Sequence, residues 1–292
     1  MYVFREIAYY IWSKIFSRKG HRHYLLFLVL FAALIFGVRY ISSHPFTQSI
    51  ETTKASTIVN YGSVSDKTPS SSLANSVLTS GIKSYLQKQG IKTIAFDNDG
   101  SFVLNNDKSN LNASISSAPY VQLAGVNSIG QVGAANAWLN NSSRQYLTRE
   151  QTNNAETIQP KGWNQLKIGG LYSYLYNRGH LIGYAIAGKV KGFDASEANA
   201  NNIVTQTAWA NQAEDADSQG QNYWEELVRK GLDQHKLIRY RVQPLYSGTE
   251  LVPRLVWLQA KSSDGSVDFN VLVPNVEPGV SINYQTGVAV LK

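Results

Sequence analysis

Three stretches of the chain collect side chains able to move a proton, hold a cation or meet a phosphate. In YNRGHLIGY, residues 176–184, His180 follows Arg178 and Gly179. Only His180 and His235 lie in the body of the chain, because His21, His23 and His44 sit around an N-terminal hydrophobic run. A neutral imidazole, with an ordinary pKa of about 6.5, can take a proton from water near pH 7. Gly179 permits a close backbone approach or an unusual dihedral, and Arg178 presents a rigid donor fork that suits phosphate. The second stretch, NNIVTQTAWANQ at 201–212, is dense in amides that could offer neutral oxygen donors. The third, NYWEELVRKGL at 222–232, carries Glu225 and Arg229 at i,i+4 spacing.

Each feature also has a plain structural reading. A histidine beside a glycine can simply pack, and Asn211 can cap or decorate a helix. Glu225 and Arg229 can be a surface pair worth under about 0.5 kcal/mol. His235, in GLDQHKL, reads as a solvated or dipole-stabilised helix end. The acidic run Glu214, Asp215 and Asp217 reads as a solvated loop, with a metal cluster as the alternative.

The elements that must position these residues follow from pattern. ANSVLTSGIKSYLQKQG at 74–90 has helical apolar spacing and a terminal glycine. TIAFDNDGSFVL at 93–104 reads as a hairpin rather than a calcium loop, since no glutamate closes the twelve-residue spacing. Residues 112–165 read as loops and short elements. Residues 201–212 begin extended and turn helical, with Thr205 or Thr207 as N-cap. Residues 214–221 read as a polar loop. In 222–232, Trp224, Leu227, Val228 and Gly231 share one helical face, and the tail alternates like strands. The expected class is α+β.

Composition narrows the chemistry. With no cysteine among 292 residues there is no disulfide, no thiolate metal site and no cysteine nucleophile. The net charge of +7 is mostly terminal. Arg5, Lys14, Arg18, Lys19, Arg22 and Arg39 against Glu6 give +5 before residue 42, which leaves 21 basic and 19 acidic side chains, or +2, for the rest. The high pI is therefore no nucleic-acid footprint by itself. YLLFLVLFAALIFGV at 24–38, extended by Tyr40 and Ile41, reads as a membrane span. The basic cluster before it keeps the N-terminus cytoplasmic and exports the remainder. A cleaved signal peptide releasing a secreted form is the alternative. The expected domains are a basic cytoplasmic segment 1–23, a span 24–41, a Ser/Thr-rich tether 42–75 and a folded domain 76–292.

Asn177-Arg178-Gly179-His180, then Asn202, Gln206 and AWANQ with Asn211, then YWEELVRKG with Glu225 and Arg229, resembles the DNA/RNA non-specific endonucleases. These are the ββα-metal, or His-Me finger, enzymes. Among them the chain is similar to the membrane-anchored bacterial nucleases of DNA uptake and to streptococcal-type DNases. PKGW at 160–163 and FNVLVPNVEPGVSINYQTG at 269–287 resemble the flanking segments, so the likeness spans 76–292. The commoner motif opens with aspartate where this chain has Asn177.

The resemblance implies a ββα-metal core with a mainly antiparallel sheet and flanking helices. It implies Mg²⁺, with Mn²⁺ as a substitute, held directly by Asn211, and His180 as general base. It implies that Glu225 holds a water of the metal and that Arg229 and Arg149, in LTRE, meet phosphate beside Arg178 and Gln206. Asn177, Asn202 and Gln206 would order the site. DNA, with RNA as a second substrate, would be the partner, beside the membrane and a DNA-uptake machinery. Two other functions fit the residues less fully: a catalytically weak surface DNA receptor, and a cell-wall glycan-binding module.

The topology is testable. Protease added to intact cells should release the folded domain by cutting the tether. A domain that stays protected until lysis would reverse the assigned orientation.

Overall fold

In Ile238–Leu245 the side chains of Ile238, Tyr240 and Val242 are buried while Arg239, Arg241 and Gln243 are partly exposed. That is the period of a strand with one face on a core. This strand, β9, pairs antiparallel with β10 (Leu255–Ser262), which pairs antiparallel with β11 (Asp268–Pro274). Four earlier strands complete the sheet: β1 (Ile94–Phe96), β2 (Phe102–Leu104), β3 (Tyr120–Leu123) and β4 (Ala135–Leu139). The order is β1-β2-β11-β10-β9-β4-β3. With a few helices on a mainly antiparallel sheet, the class is α+β. The structure is a computed structural model and describes residues 58–292. The expected segments 1–23 and 24–41, and the tether as far as residue 57, lie outside the described residues.

Residues 58–75 are not a tether: the folded unit begins at Ile58. Helix α1 (Ser71–Val77) buries Leu73, Ala74 and Val77 in the core, with Ser70 capping it. Upstream, the Val64 carbonyl accepts from Leu171 N at 3.0 Å, and Tyr61 O accepts from Gly279 N at 2.7 Å. The single helix expected over 74–90 is two. Thr79 adopts an extended backbone and its side chain accepts from Ile82 N, so it ends one helix and caps α2 (Ser80–Lys88). The expected hairpin at 93–104 is β1 and β2, with Gly100 at φ +100° in the turn.

Two further pieces carry the amide-rich segments. Strands β5 (Tyr176–His180) and β6 (Ile203–Thr207) form a separate antiparallel hairpin, with Asn177 opposite Gln206 and His180 opposite Ile203. The short helix α3 (Tyr184–Ala187) lies in the connection between them. Thr207, one of the two expected caps, accepts from Ala210 N and starts α4 (Ala208–Gln212). The expected polar loop contains a small ladder, β7 (Glu214–Asp215) with β8 (Ser218–Gln219). Its Asp215 and Asp217 lie 3.2 and 2.6 Å from Lys67 Nζ.

Helix α5 (Gln221–Asp233) packs Trp224, Val228 and Leu232 into the core. The Trp224 ring lies 5.1 Å from that of Phe269 on β11. At Gly231 an added Cβ would stand 2.7 Å from Ile238 Cδ1, so glycine brings the last turn close to β9. Full burial of such apolar side chains contributes roughly 1.5–3 kcal/mol each, several times an exposed i,i+4 pair. The apolar stripe therefore sets the helix rotation, and that rotation turns Glu225 into the cleft beside the hairpin.

Candidate active site

The hairpin and the two helices meet through side-chain amides. Gln221 Nε2 donates to His180 O at 2.5 Å and to Glu225 Oε1 at 3.1 Å. Its Oε1 accepts from Gln206 Nε2 at 3.2 Å, and the same Nε2 donates to Ala210 O at 3.2 Å. Gln206 Oε1 accepts from Asn211 Nδ2 at 3.2 Å. Asn211 Oδ1 then accepts from Asn177 Nδ2 at 3.3 Å. Backbone carbonyls only accept, so His180 O and Ala210 O fix the orientation of Gln221 and Gln206 independently. The orientation of Asn211 follows: its NH₂ is bound inward, and its oxygen is left toward Asn177 and the cleft.

Glycine makes this arrangement possible. An added Cβ at Gly179 would collide with Gln206, meeting its own Cβ at 2.7 Å and its Oε1 closer still. At Gly183 a Cβ would stand 2.5 Å from Glu225 Oε2. On the other side of the strand end, fully buried Asn202 accepts from Ile182 N and donates to Ile182 O, both at 3.0 Å. That pair locks the chain just after His180.

His180 Nε2 lies 3.0 Å from Arg149 Nη2. A guanidinium can only donate, so Nε2 is the acceptor and the ring is neutral. Burial pulls the imidazole down to about 3, Arg149's charge adds to the effect, and a hydrogen bond with the Ala195 backbone opposes it. Arg149 itself donates to Ala195 O at 2.7 Å, and its guanidinium stands 4.5 Å from the centre of the Tyr184 ring. The Tyr184 hydroxyl donates to Thr148 O at 3.0 Å, fixing this platform. Glu225 shifts the other way: burial raises its carboxyl to about 7, against the Gln221 bond and the charge of Arg229.

Arg149, His180, Gly183, Tyr184, Asn211, Gln221 and Glu225 all line one open cleft of about 370 Å³. Among the described residues, no group of three or more His, Cys, Asp or Glu is placed to hold a metal ion. Residues with hard oxygen donors line the cleft, among them the Asn211 amide and the Glu225 carboxylate. One amide oxygen plus water suits a cation that keeps most of its hydration, so these residues fit Mg²⁺.

Of the nine residues singled out from the sequence, four line the cleft: Arg149, His180, Asn211 and Glu225. Asn177, Asn202 and Gln206 stand behind them. Arg178 and Arg229 do not line it. Arg178 donates to Ile158 O at 2.5 Å and lies over the Trp163 ring. Arg229 is not paired with Glu225 as the spacing suggested; it donates to Glu226 at 2.5 Å and to Asn222 Oδ1 at 3.0 Å. In the substrate-free protein both guanidinium groups make these contacts within the chain. Sequence reasoning missed Gln221, Tyr184 and Gly183. Gln221 had a signal, since it stands one helical turn before Glu225; Tyr184 and Gly183 had none beyond the motif's neighbourhood.

Gly179→Ala tests the packing behind Asn211. Overpacking of this kind costs about 1–3 kcal/mol. Denaturant unfolding should show that loss, and activity should fall by more than the folded fraction does. Wild-type stability and activity together would mean that Gln206 does not need the space.

Comparison with known proteins fits this geometry. Residues 87–288 match the family model of the DNA/RNA non-specific endonucleases. NucA from Streptococcus agalactiae, in a crystal structure with magnesium ion bound, is 39% identical, superposes with a TM-score of 0.68, and is matched over 73% of this chain and 98% of its own. The same protein with no metal bound is 40% identical over 75% and 100% of the two chains, with a TM-score of 0.67. The Sda1 nuclease, solved with a bound zinc ion, is 20% identical over 64% and 95%, with a TM-score of 0.51, a likeness of fold alone. The chain belongs to the DNA/RNA non-specific endonuclease family.

Proposed function

We propose that the chain is an extracellular, membrane-anchored endonuclease that hydrolyses DNA, and RNA as a second substrate, with little sequence preference. We propose Mg²⁺ as its metal, with Mn²⁺ able to substitute. The observation that carries this reading is that one cleft holds a neutral histidine, an amide oxygen turned outward and a buried carboxylate. The structure of NucA with magnesium supports the choice of metal. The run at 24–38 and its basic flank support the anchor. A near-neutral domain suits contacts to phosphates in a local groove, with affinity that falls as salt rises.

In this mechanism Arg149 first leaves His180 Nε2 for a phosphate oxygen, which competes for the same guanidinium. The freed lone pair accepts a proton from water as the water oxygen attacks phosphorus. The bond from phosphorus to the 3′-oxygen breaks, and that oxygen is protonated from solvent. When bound at Asn211, a divalent cation would supply Lewis acidity to the reacting phosphate. Glu225, held by Gln221, orients water in the cleft. Asn177, Gln206 and Asn202 order the site.

An ordinary histidine titration near about 6.5 would make the rate fall as pH drops through that value. Here the free protein keeps His180 neutral down to about 3. Glu225 titrates near about 7, so acid neutralises the carboxylate first. Loss of kcat/KM on the acid side, which reports the free protein, should therefore follow Glu225.

His180→Gly is the test. With Mg²⁺ and plasmid in single turnover, the variant should stay folded and lose about 10²–10⁴-fold in rate, the usual share of a general base. Added imidazole should restore part of it. A variant within tenfold of wild type, unaffected by imidazole, would remove His180 from the chemistry.

A further inference from the structure

The amide chain ends on the residue where this sequence departs from the commoner motif. Asn177 Nδ2 is 3.3 Å from Asn211 Oδ1, and Asn211 lines the cleft. The inward side of Asn211 is already fixed by Gln206, and Gln206 is fixed by Ala210 O and by Gln221. Asn211 therefore cannot flip without breaking several bonds, and Asn177 must present its NH₂ rather than its oxygen.

We infer that Asn177 sets the affinity of the site for a divalent cation, because its N–H donates to the same Asn211 oxygen that the cation would take. The proposal rests on Asn211 being the metal's side-chain ligand. An N–H points the positive end of its dipole at the oxygen. With no cation bound, that contact satisfies the acceptor and holds its position. With a cation bound, the same positive end opposes it. A carboxylate at 177 would reverse both terms. Two acceptors about as close would repel each other in the empty site and jointly attract a cation in the filled one. Asn177 is a positioning residue: it biases the site toward order without metal and toward weaker metal binding. Gly179 and the opposed Gln206 hold it in register, since Asn177 pairs across the hairpin with Gln206.

The test compares the full chain with Asn177→Asp and Asn177→Ala in detergent micelles. Mg²⁺ binding is measured by titration calorimetry, Mn²⁺ binding by electron paramagnetic resonance, and thermal unfolding in EDTA and in Mg²⁺. Asn177→Asp should bind Mg²⁺ about tenfold more tightly, the order expected for one charge at short range in a solvent-shared cleft. It should melt lower than wild type in EDTA and gain more from Mg²⁺. Asn177→Ala, which lacks the competing N–H and gains no charge, should bind with an affinity between the two. An Asn177→Asp protein that folds only with Mg²⁺ supports the proposal too. Wild type and Asn177→Asp within twofold for Mg²⁺ would overturn it, as would Asn177→Ala binding more weakly than wild type. If Asn211→Ala binds Mg²⁺ as wild type does, the metal ligand itself is wrong and both readings fall. If Asn211→Ala loses binding while Asn177→Asp changes nothing, only the role of Asn177 falls.

Discussion

Two backbone carbonyls, those of His180 and Ala210, decide which way a row of side-chain amides must face. A carbonyl cannot donate, so Gln221 and Gln206 each turn an NH₂ toward one. Everything downstream follows from that asymmetry. Asn211 is left with its oxygen toward the cleft, and the Glu225 carboxylate accepts the remaining Gln221 proton. Amides are neutral and nearly symmetric in shape, so shape alone does not orient them. A directional chain of hydrogen bonds does so without placing a charge behind Asn211.

The rest of the fold holds the two carbonyls in place. The β5–β6 hairpin carries His180 and Gln206, and α5 carries Gln221 and Glu225. They meet only because Gly179 and Gly183 leave room for Gln206 and Glu225. The helix is set by Trp224, Val228 and Leu232 against the large sheet. The α4 start is fixed by capping from Thr207 and by buried Glu277, whose carboxylate accepts from Trp209 N at 2.8 Å. Arg149 then acts on the histidine from outside this framework. It takes the Nε2 lone pair in the free protein and adds its charge to burial, so the imidazole stays uncharged.

Much of this was legible in the sequence. Period-two alternation marked the strands of the tail, and the apolar stripe of α5 marked its buried face. The motif around His180 led to the cleft, and so did Asn211 and Glu225. What misled was local. The Ser/Thr content of 58–75 resembles a linker, yet Leu73 and Val77 reach a core contributed by distant strands, and composition does not report that. A run with good helical spacing broke at Thr79 because a capping side chain is as strong a signal as periodicity. Glu225 and Arg229 had the spacing of an ion pair, but Glu226 and Asn222 were nearer to the guanidinium. Arg178 was expected at phosphate on its charge; in the substrate-free protein its guanidinium lies over the Trp163 ring. Gln221 was passed over because an amide gives no signal until its partners are known.

The account turns on His180 being neutral, with Nε2 free of its proton, before substrate arrives. Nitrogen NMR of the ring in the metal-free protein, from about pH 5 to about pH 8, observes this directly. The result expected is one tautomer, protonated on Nδ1, with no titration across the range. A ring that titrates near about 6.5, or that carries its proton on Nε2, would contradict the arrangement on which the proposed catalysis depends.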